Sequence, residues 1–340
     1  MATLMEQRPG AIVDPLALPM TRSQQAYLDI VQGLKRFNLT QSLPVLAKEY
    51  EQRGSLESSE LYPFHQHIAY HSQKMMWRGI DQVCQGHAGF INKALENPSR
   101  LRLNPDLELP EYFLNEFHCR PGGHHLDAPH QGWYTDLANY VYFGGFQDKR
   151  ESKYLAVKAI PEARIGRVVD LGCGMGQSTW PLAERWTEAE VHGIDLSAGL
   201  LRYAAKRAEA MGLPIFFSQQ NAERTEFPDG HFDLVYCEIL FHEIPDSAAE
   251  NVVREAYRLA APGGGRFVIA DIQPYRTMTA FGSFWSDWQT ENNGEPFWRE
   301  QGQRDLPEML RAAGFKDVSD FSAAPAGQRP HPWITTGVKA

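Results

Sequence analysis

The chain of 340 residues has few cysteines, no long apolar run and no surplus of positive charge. Its four cysteines, at positions 84, 119, 173 and 237, are too scattered for a disulfide framework and indicate a reducing, cytoplasmic environment. No apolar run approaches the ~18–20 residues that span a bilayer, so no membrane partner is predicted. The N-terminus also lacks the basic and then apolar pattern of a secretion signal.

Negative charge exceeds positive charge, with 42 Asp and Glu against 33 Lys and Arg and a formal net charge of -9. Binding to a phosphate backbone needs clustered Lys and Arg, so nucleic acid is excluded as the expected partner. Hydrophobic residues make up 43% of the chain, which is enough for a buried core. A small molecule is therefore the expected partner.

Two regions differ in their patterns. Residues 1–147 are predicted to form a mainly helical region that caps the site, with a lid loop over residues 116–146, and it could also mediate a homodimer. Apolar residues near helical spacing predict an inward face in the first helix at Ala26, Ile30, Leu34 and Phe37. The same reasoning predicts inward positions at Ile68, Met75, Met76, Ile80 and Val83.

Residues 148–340 alternate between strand-like and helix-like segments, which predicts an α/β domain. "RVVDLG", "EVHGIDLS", "IFFSQQNA", "FDLVYCEIL" and "RFVIADI" have the apolar character of buried strands, and helical segments separate most of them. This alternation favours a parallel sheet with helices on both faces.

A glycine-rich turn in "VVDLGCGMGQST" follows the first of these strands. Gly172, Gly174 and Gly176 would let the backbone approach a ligand closely at the start of a helix. Asp170 precedes the glycines, and its carboxylate would repel a pyrophosphate but suits a cationic, amine-bearing ligand. At the ends of later strands, Asp195 can accept hydrogen bonds from ribose hydroxyls and Asn221 can hydrogen-bond an adenine edge.

Together these motifs resemble the class I S-adenosylmethionine-dependent methyltransferases, of the broad type that includes the ubiquinone and menaquinone methyltransferases, over roughly residues 150 to 340. The resemblance implies a Rossmann-like, seven-stranded, mostly parallel sheet with a closing antiparallel hairpin. It also implies S-adenosyl-L-methionine as cofactor and methyl transfer to a small-molecule acceptor by in-line displacement. The cofactor-binding residues that it implies are Asp170, Gly172, Cys173, Gly174, Gly176, Asp195, Leu196, Asn221, Ala222 and Glu238.

Candidates for the acceptor side come from three segments. His242 and Glu243, in "EILFHEIP", follow a strand end, and His242 could serve as general base. In the histidine loop "FHCRPGGHHLDAPH" (residues 117–130), the Pro-Gly-Gly turn could bring His124 or His125 to the acceptor. The predicted substrate-binding aromatic residues are Tyr134, Tyr142, Trp285 and Trp288.

The many histidines do not by themselves predict a metal site. His124 and His125 are adjacent, so an extended chain would point them to opposite sides, and neither CxxC nor HxxxH supports them. His67 and His71 share a helical face but lack an HExxH signature. Two alternatives stay open: a non-catalytic S-adenosylmethionine-binding regulatory protein, and a metal-assisted enzyme that uses histidines of the histidine loop or of residues 65–71.

Overall fold

A twisted sheet forms the centre of the molecule, in a computed structural model that describes residues 18–142, 149–325 and 331–340. The strands within these residues are β1 (Leu101–Arg102), β2 (Arg167–Leu171), β3 (Glu190–Asp195), β4 (Phe216–Gln219), β5 (Leu234–Glu238), β6 (Arg266–Asp271), β7 (Lys316–Ser322) and β8 (Trp333–Val338). The helices are α1 (Arg22–Phe37), α2 (Leu43–Arg53), α3 (Leu61–Gly86), α4 (Ala88–Ala94), α5 (Gln131–Tyr142), α6 (Lys149–Lys158), α7 (Thr179–Arg185), α8 (Ala198–Met211), α9 (Asp246–Leu259), α10 (Ala280–Asn292), α11 (Trp298–Gln303) and α12 (Leu306–Ala313).

The strand order is β1-β4-β3-β2-β5-β6-β8-β7. β8 runs antiparallel to β6 and β7, while the other pairings in the sheet are parallel. The predicted Rossmann-like sheet with a closing antiparallel pair is confirmed, and β1 adds a short edge strand that was not predicted. The chain moves outward in one direction from β2 and in the other from β5, so the crevice between them is where ligands bind in such sheets.

The strands that flank this crevice are buried on both faces. Every residue of β5 is buried, and only Arg167 of β2 is exposed. Burial on both faces explains why the parallel strands are nearly continuous apolar runs without alternation. One hydrophobic cluster lies on each side of the sheet.

The N-terminal helices pack directly against the sheet region. Trp133 of α5 and Leu200 and Tyr203 of α8 belong to one hydrophobic cluster that also contains residues of α1 and α3. The approach of α5 to α8 is so close that a Cβ on Gly132 would lie 2.0 Å from the Cβ of Tyr203. The predicted boundary between residues 147 and 148 lies outside the described residues.

The predicted inward face of α1 is wrong. The exposed residues include Ala26, Ile30 and Phe37, and Leu34 is half-buried, whereas Leu28, Val31 and Lys35 are buried. Lys35 is buried although it is a charged residue type, so a pattern of apolar residues could not identify it as inward. Its Nζ donates to Oε1 of Gln73 at 2.6 Å and lies 4.6 Å from the ring centre of Tyr142. The inward positions predicted for α3 are buried at Met76, Ile80 and Val83 and half-buried at Ile68 and Met75.

Among the described helices, none combines the length and the apolar character that crossing a membrane requires.

Candidate active site

A cavity of about 180 Å³ opens at the carboxyl ends of β2, β3 and β5. Its walls come from both parts of the chain, because the glycine-rich turn and the ends of the strands face residues of the histidine loop. Of the predicted cofactor-binding residues, those that line the cavity are Gly172, Cys173, Gly174, Asp195, Leu196, Asn221, Ala222 and Glu238. The cavity therefore lies at the crevice where the topology favours a ligand.

The glycine-rich turn is fixed by backbone hydrogen bonds to the neighbouring strand. Gly172 and Gly174 have positive φ values of 73° and 52°, a conformation that glycine adopts without strain. The N–H of Gly172 donates to the carbonyl of Ile194 at 2.9 Å. A Cβ on Gly172 would also approach the side chain of Leu240 to 3.0 Å, so a larger residue would require Leu240 to move.

Asp195 closes one side of the turn. Its Oδ2 accepts from the N–H of Gly174 at 2.8 Å, and its Oδ1 accepts from the N–H of Ser197 at 2.7 Å. Burial raises the pKa of this carboxyl, while the two N–H groups oppose that shift. Each carboxylate oxygen retains a lone pair for a further donor, so Asp195 can still accept from a ligand hydroxyl.

Glu238 forms the floor of the cavity with Lys153. The Nζ of Lys153 lies 2.9 Å from Oε1 of Glu238, and the hydroxyl of Tyr236 donates to its Oε2 at 2.8 Å. The cavity floor thus presents a carboxylate and an ammonium side by side.

Four acidic and imidazole side chains meet on the opposite side of the cavity. Nε2 of His118 lies 3.2 Å from Oε1 of Glu243, and Nε2 of His124 lies 3.6 Å from the same oxygen. Nδ1 of His118 lies 2.6 Å from Oε1 of Glu295, which is 2% exposed. Burial alone would lower the pKa of His118, but Glu295 and Glu243 raise it to about 10. His118, His124 and Glu243 offer three ligand atoms that lie within 4.8 Å of one another, which could hold a metal ion.

The position of His118 is fixed by its backbone. Its φ of 57° is unusual for a residue other than glycine. Its carbonyl accepts from Nε2 of Gln73 at 3.0 Å and from Nε1 of Trp77 at 2.7 Å, and its N–H donates to the carbonyl of Gly294 at 2.9 Å. Helix α3 and the segment after α10 therefore hold this imidazole in place.

Comparisons with known proteins agree with this geometry. Residues 168–264 match the family model of a methyltransferase domain. The chain is 36% identical over 142 residues to the demethylmenaquinone methyltransferase of Thermus thermophilus, an alignment that covers 42% of this chain and 61% of that protein. It is 30% identical over 189 residues to the trans-aconitate 2-methyltransferase of an Azoarcus species, covering 56% of this chain and 64% of that protein.

The C-terminal part of the chain is therefore similar to methyltransferase domains. The chain spans less than two thirds of the length of these two relatives. A solved structure of a possible histamine N-methyltransferase from Thermotoga maritima is 21% identical, with a TM-score of 0.46 over 61% of this chain and 97% of that one.

Asp170 is not among the residues that line the cavity, although it was expected to meet the cationic part of the ligand. It is fully buried, and its Oδ2 accepts from the hydroxyls of Ser178 and Thr179 at 2.6 and 2.7 Å. The side chain therefore ties the glycine-rich turn to the start of α7. Gly176 also lies outside the cavity wall, where a Cβ would be 2.8 Å from Nε1 of Trp180.

Burial raises the pKa of Asp170 to about 7, although its two hydroxyl donors oppose the shift. Between the ordinary value of 3.8 and about 7, the folded state binds a proton that the unfolded state has released, so stability falls as pH rises through this window. We expect the unfolding free energy of the ligand-free wild type, minus that of Asp170→Asn, to fall from pH 4 to pH 7 and to level off above pH 7. Urea denaturation at several pH values measures this difference. A difference that does not change with pH would contradict a raised pKa of Asp170 in the folded protein.

His242, the predicted general base, is buried behind the cavity and does not line it. It is 2% exposed, its Nδ1 donates to Oδ1 of Asp271 at 2.8 Å, and its ring packs edge-on against Trp298 at 5.0 Å. Burial alone would lower its pKa, but Asp271 reverses this and raises it. The turn after β5 points His242 inward and Glu243 into the cavity, so His242 positions the turn and has no access to an acceptor.

The predicted substrate-binding aromatic residues and His125 also lie outside the cavity wall, whereas His124 and Glu243 line it. Trp285 and Trp288 stack on each other at 4.7 Å, and Trp285 packs in a cluster between α10 and α2. Tyr134 stacks on Trp77 at 5.0 Å within the helical region. Tyr142 lies beside Lys35, and His125 is half-buried next to the Gly123 turn. These aromatic side chains pack between helices. The spacing of aromatic residues in the sequence could not distinguish such packing from the lining of a pocket.

Several cavity residues were not predicted. Tyr112, Phe117 and Gln220 line the cavity, as do His118 and Lys153. His118 belongs to the histidine loop, so its residue type was a usable signal. No such signal marks Glu295, the partner of His118, because it lies in a loop between α10 and α11 with no motif around it. Of the predicted lid, residues 143–146 lie outside the described residues.

Proposed function

We propose that the protein transfers a methyl group from S-adenosyl-L-methionine to a small-molecule acceptor. The main observation behind the proposal is that Asp195 and the glycine-rich turn line the same cavity as the imidazoles of the histidine loop. This arrangement provides one wall for a nucleoside and, opposite it, polar groups for a second molecule.

On the cofactor side, each residue has a separate task. Asp195 would accept hydrogen bonds from the ribose hydroxyls, and Leu196 and Ala222 would flank the adenine, with Asn221 at its edge. Glu238 would line the floor near the methyl group.

On the acceptor side, the chemistry requires alignment more than proton transfer. The methyl group moves to the acceptor as its bond to sulfur breaks, and the departing thioether is neutral and needs no proton. The enzyme must hold the acceptor atom in line with that bond and remove its proton where it carries one. The two relatives are named for a demethylated quinone and for trans-aconitate, so the acceptor side is expected to differ even among similar domains.

Calorimetry on the purified protein tests the cofactor. We expect S-adenosylhomocysteine and S-adenosylmethionine to bind with micromolar dissociation constants and NADH not to bind. Binding of NADH alone would overturn the proposal. Labelled S-adenosylmethionine incubated with a metabolite library then distinguishes an enzyme from a regulatory protein that binds the cofactor and transfers nothing.

The substitution Asp195→Ala should weaken binding of S-adenosylhomocysteine by about 1–3 kcal/mol, because hydrogen bonds to a charged acceptor are lost. This corresponds to a roughly 5- to 150-fold rise in the dissociation constant, which the same calorimetry measures. Asp127→Ala is the matched control, since Asp127 is exposed and pairs with Arg202 on the surface. An unchanged dissociation constant in a folded Asp195→Ala variant would remove the ribose assignment.

A further inference from the structure

We propose that His118, His124 and Glu243 bind a divalent transition-metal ion in the acceptor half of the cavity. Their ligand atoms lie within 4.8 Å of one another, and the distances from Glu243 Oε1 to the two imidazole Nε2 atoms are 3.2 and 3.6 Å. Metal–ligand bonds of about 2.0–2.2 Å place neighbouring ligand atoms roughly 3.0–3.5 Å apart. Only small side-chain movements are therefore needed to close the three groups around an ion.

Glu295 prepares His118 for this role. The neutral imidazole would donate from Nδ1 to Oε1 of Glu295, 2.6 Å away, and this leaves the lone pair of Nε2 directed at Glu243 and the cavity. A carboxylate behind an imidazole in this way is the usual arrangement at protein metal centres, because it fixes the tautomer and strengthens the ligand.

His124 provides the second, independent observation. Both of its ring nitrogens are buried, and neither makes a hydrogen bond within the part of the chain that the structure describes. The distance of 3.6 Å from Nε2 to Oε1 of Glu243 is too long for one. Buried polar atoms without a partner are rare, because their desolvation is costly. An ion between His124 and Glu243 would satisfy Nε2 of His124.

The donor set identifies the class of ion. Two imidazoles and one carboxylate favour Fe²⁺, Co²⁺, Zn²⁺ or Mn²⁺ over Mg²⁺ and Ca²⁺, which prefer oxygen ligands. Three protein ligands leave coordination positions free, as in catalytic metal sites. All three side chains line the cavity, so the free positions face the space that the second molecule would occupy.

If the proposed methyl transfer is correct, the ion indicates that the acceptor belongs to the class of oxygen-containing ligands. The acceptor would coordinate the ion through a hydroxyl or other oxygen atom. Coordination lowers the pKa of a hydroxyl, so its proton passes to water, and the resulting oxygen anion uses a lone pair to bond the methyl carbon. The electron pair of the broken carbon–sulfur bond stays on sulfur as the neutral thioether.

Titration of the untagged protein with Co²⁺, followed by visible absorption, tests the site. We expect one Co²⁺ ion to bind per chain, and at least a tenfold rise in its dissociation constant in His124→Gln and in Glu243→Gln. His118→Asn should behave in the same way, and Asn tolerates the positive φ at that position, so the loop should keep its conformation. Excess Mg²⁺ should not displace Co²⁺.

Two control variants locate the ion. His125→Gln changes the neighbouring imidazole, and His67→Ala with His71→Ala removes the exposed pair on α3, whose rings are 4.2 Å apart. Both proteins should bind Co²⁺ like the wild type. Absence of Co²⁺ binding, or binding that is lost in the His67/His71 variant and retained in His124→Gln, would overturn the proposed site.

Catechol, a ligand with two neighbouring oxygens, tests the open positions. Its addition should shift the absorption of the Co²⁺ protein, and an unchanged spectrum would overturn the assignment of an oxygen-coordinating acceptor. Calorimetry with S-adenosylhomocysteine on the same samples separates the two proposals. Cofactor binding without Co²⁺ binding rejects the metal site alone, whereas Co²⁺ binding without cofactor binding rejects the methyl transfer and the acceptor class that depends on it.

Discussion

Replacing Asp271 with alanine is expected to lower the free energy of unfolding by about 3–5 kcal/mol, because it breaks a buried, hydrogen-bonded pair. Asp271 is 1% exposed, and it accepts from Nδ1 of His242 at 2.8 Å and from the N–H of Phe241 at 2.9 Å. Both donors would stay buried without a partner. The same turn carries Glu243 into the cavity, so the substitution should also disturb the position of Glu243 on the acceptor side.

Urea denaturation of the two proteins measures this change. Asp271→Asn keeps one oxygen acceptor and should lose less stability than the alanine variant. Asp106→Ala, at an exposed position, should change the unfolding free energy by no more than about 0.5 kcal/mol. If Asp271→Ala is as stable as Asp106→Ala, the turn does not depend on the His242–Asp271 pair.

Gly132→Ala is expected to cost about 3 kcal/mol, which is the upper part of the usual range for overpacking. The added Cβ would lie 2.0 Å from the Cβ of Tyr203, an atom near the backbone of α8 that cannot rotate away. The helices would have to separate, and this would open the cluster that the N-terminal helices share with α8.

Gly33→Ala is the matched control in α1. A Cβ at that position meets no atom within 4 Å, so the change should stabilise the protein by about 0.5–1 kcal/mol through helix propensity alone. Thermal denaturation should move the two melting temperatures in opposite directions. Equal melting temperatures for Gly132→Ala and the wild type would mean that α5 and α8 are not in tight contact.

The sheet could be predicted because its signals are local. Apolar runs in β2, β3, β5 and β6, and the glycines that follow β2, specify strands and a turn from neighbouring residues only. The topology then places the carboxyl ends together, and so Asp195 and Asn221 could be assigned to one cavity from the sequence.

The acceptor side could not be predicted to the same extent, because its residues meet only through tertiary structure. Nothing local indicates that His242 turns inward while Glu243 faces the cavity, since adjacent residues in an irregular turn have no fixed period. Likewise, Glu295 reaches His118 only through the path of the chain after α10. In the sequence His124 stands next to His125, whereas the structure brings His124 together with the more distant His118.

The hydrogen bonds from Gln73 and Trp77 to the carbonyl of His118 attach one wall of the cavity to α3. Every predicted cofactor residue follows position 168, while His118, His124 and α3 precede position 131, and Glu243 joins the two imidazoles from the C-terminal part. We therefore expect substitutions in α3 to affect the acceptor side more than the proposed nucleoside wall. In evolutionary terms, we expect the N-terminal helices to be the part of this protein in which a new specificity arises most readily.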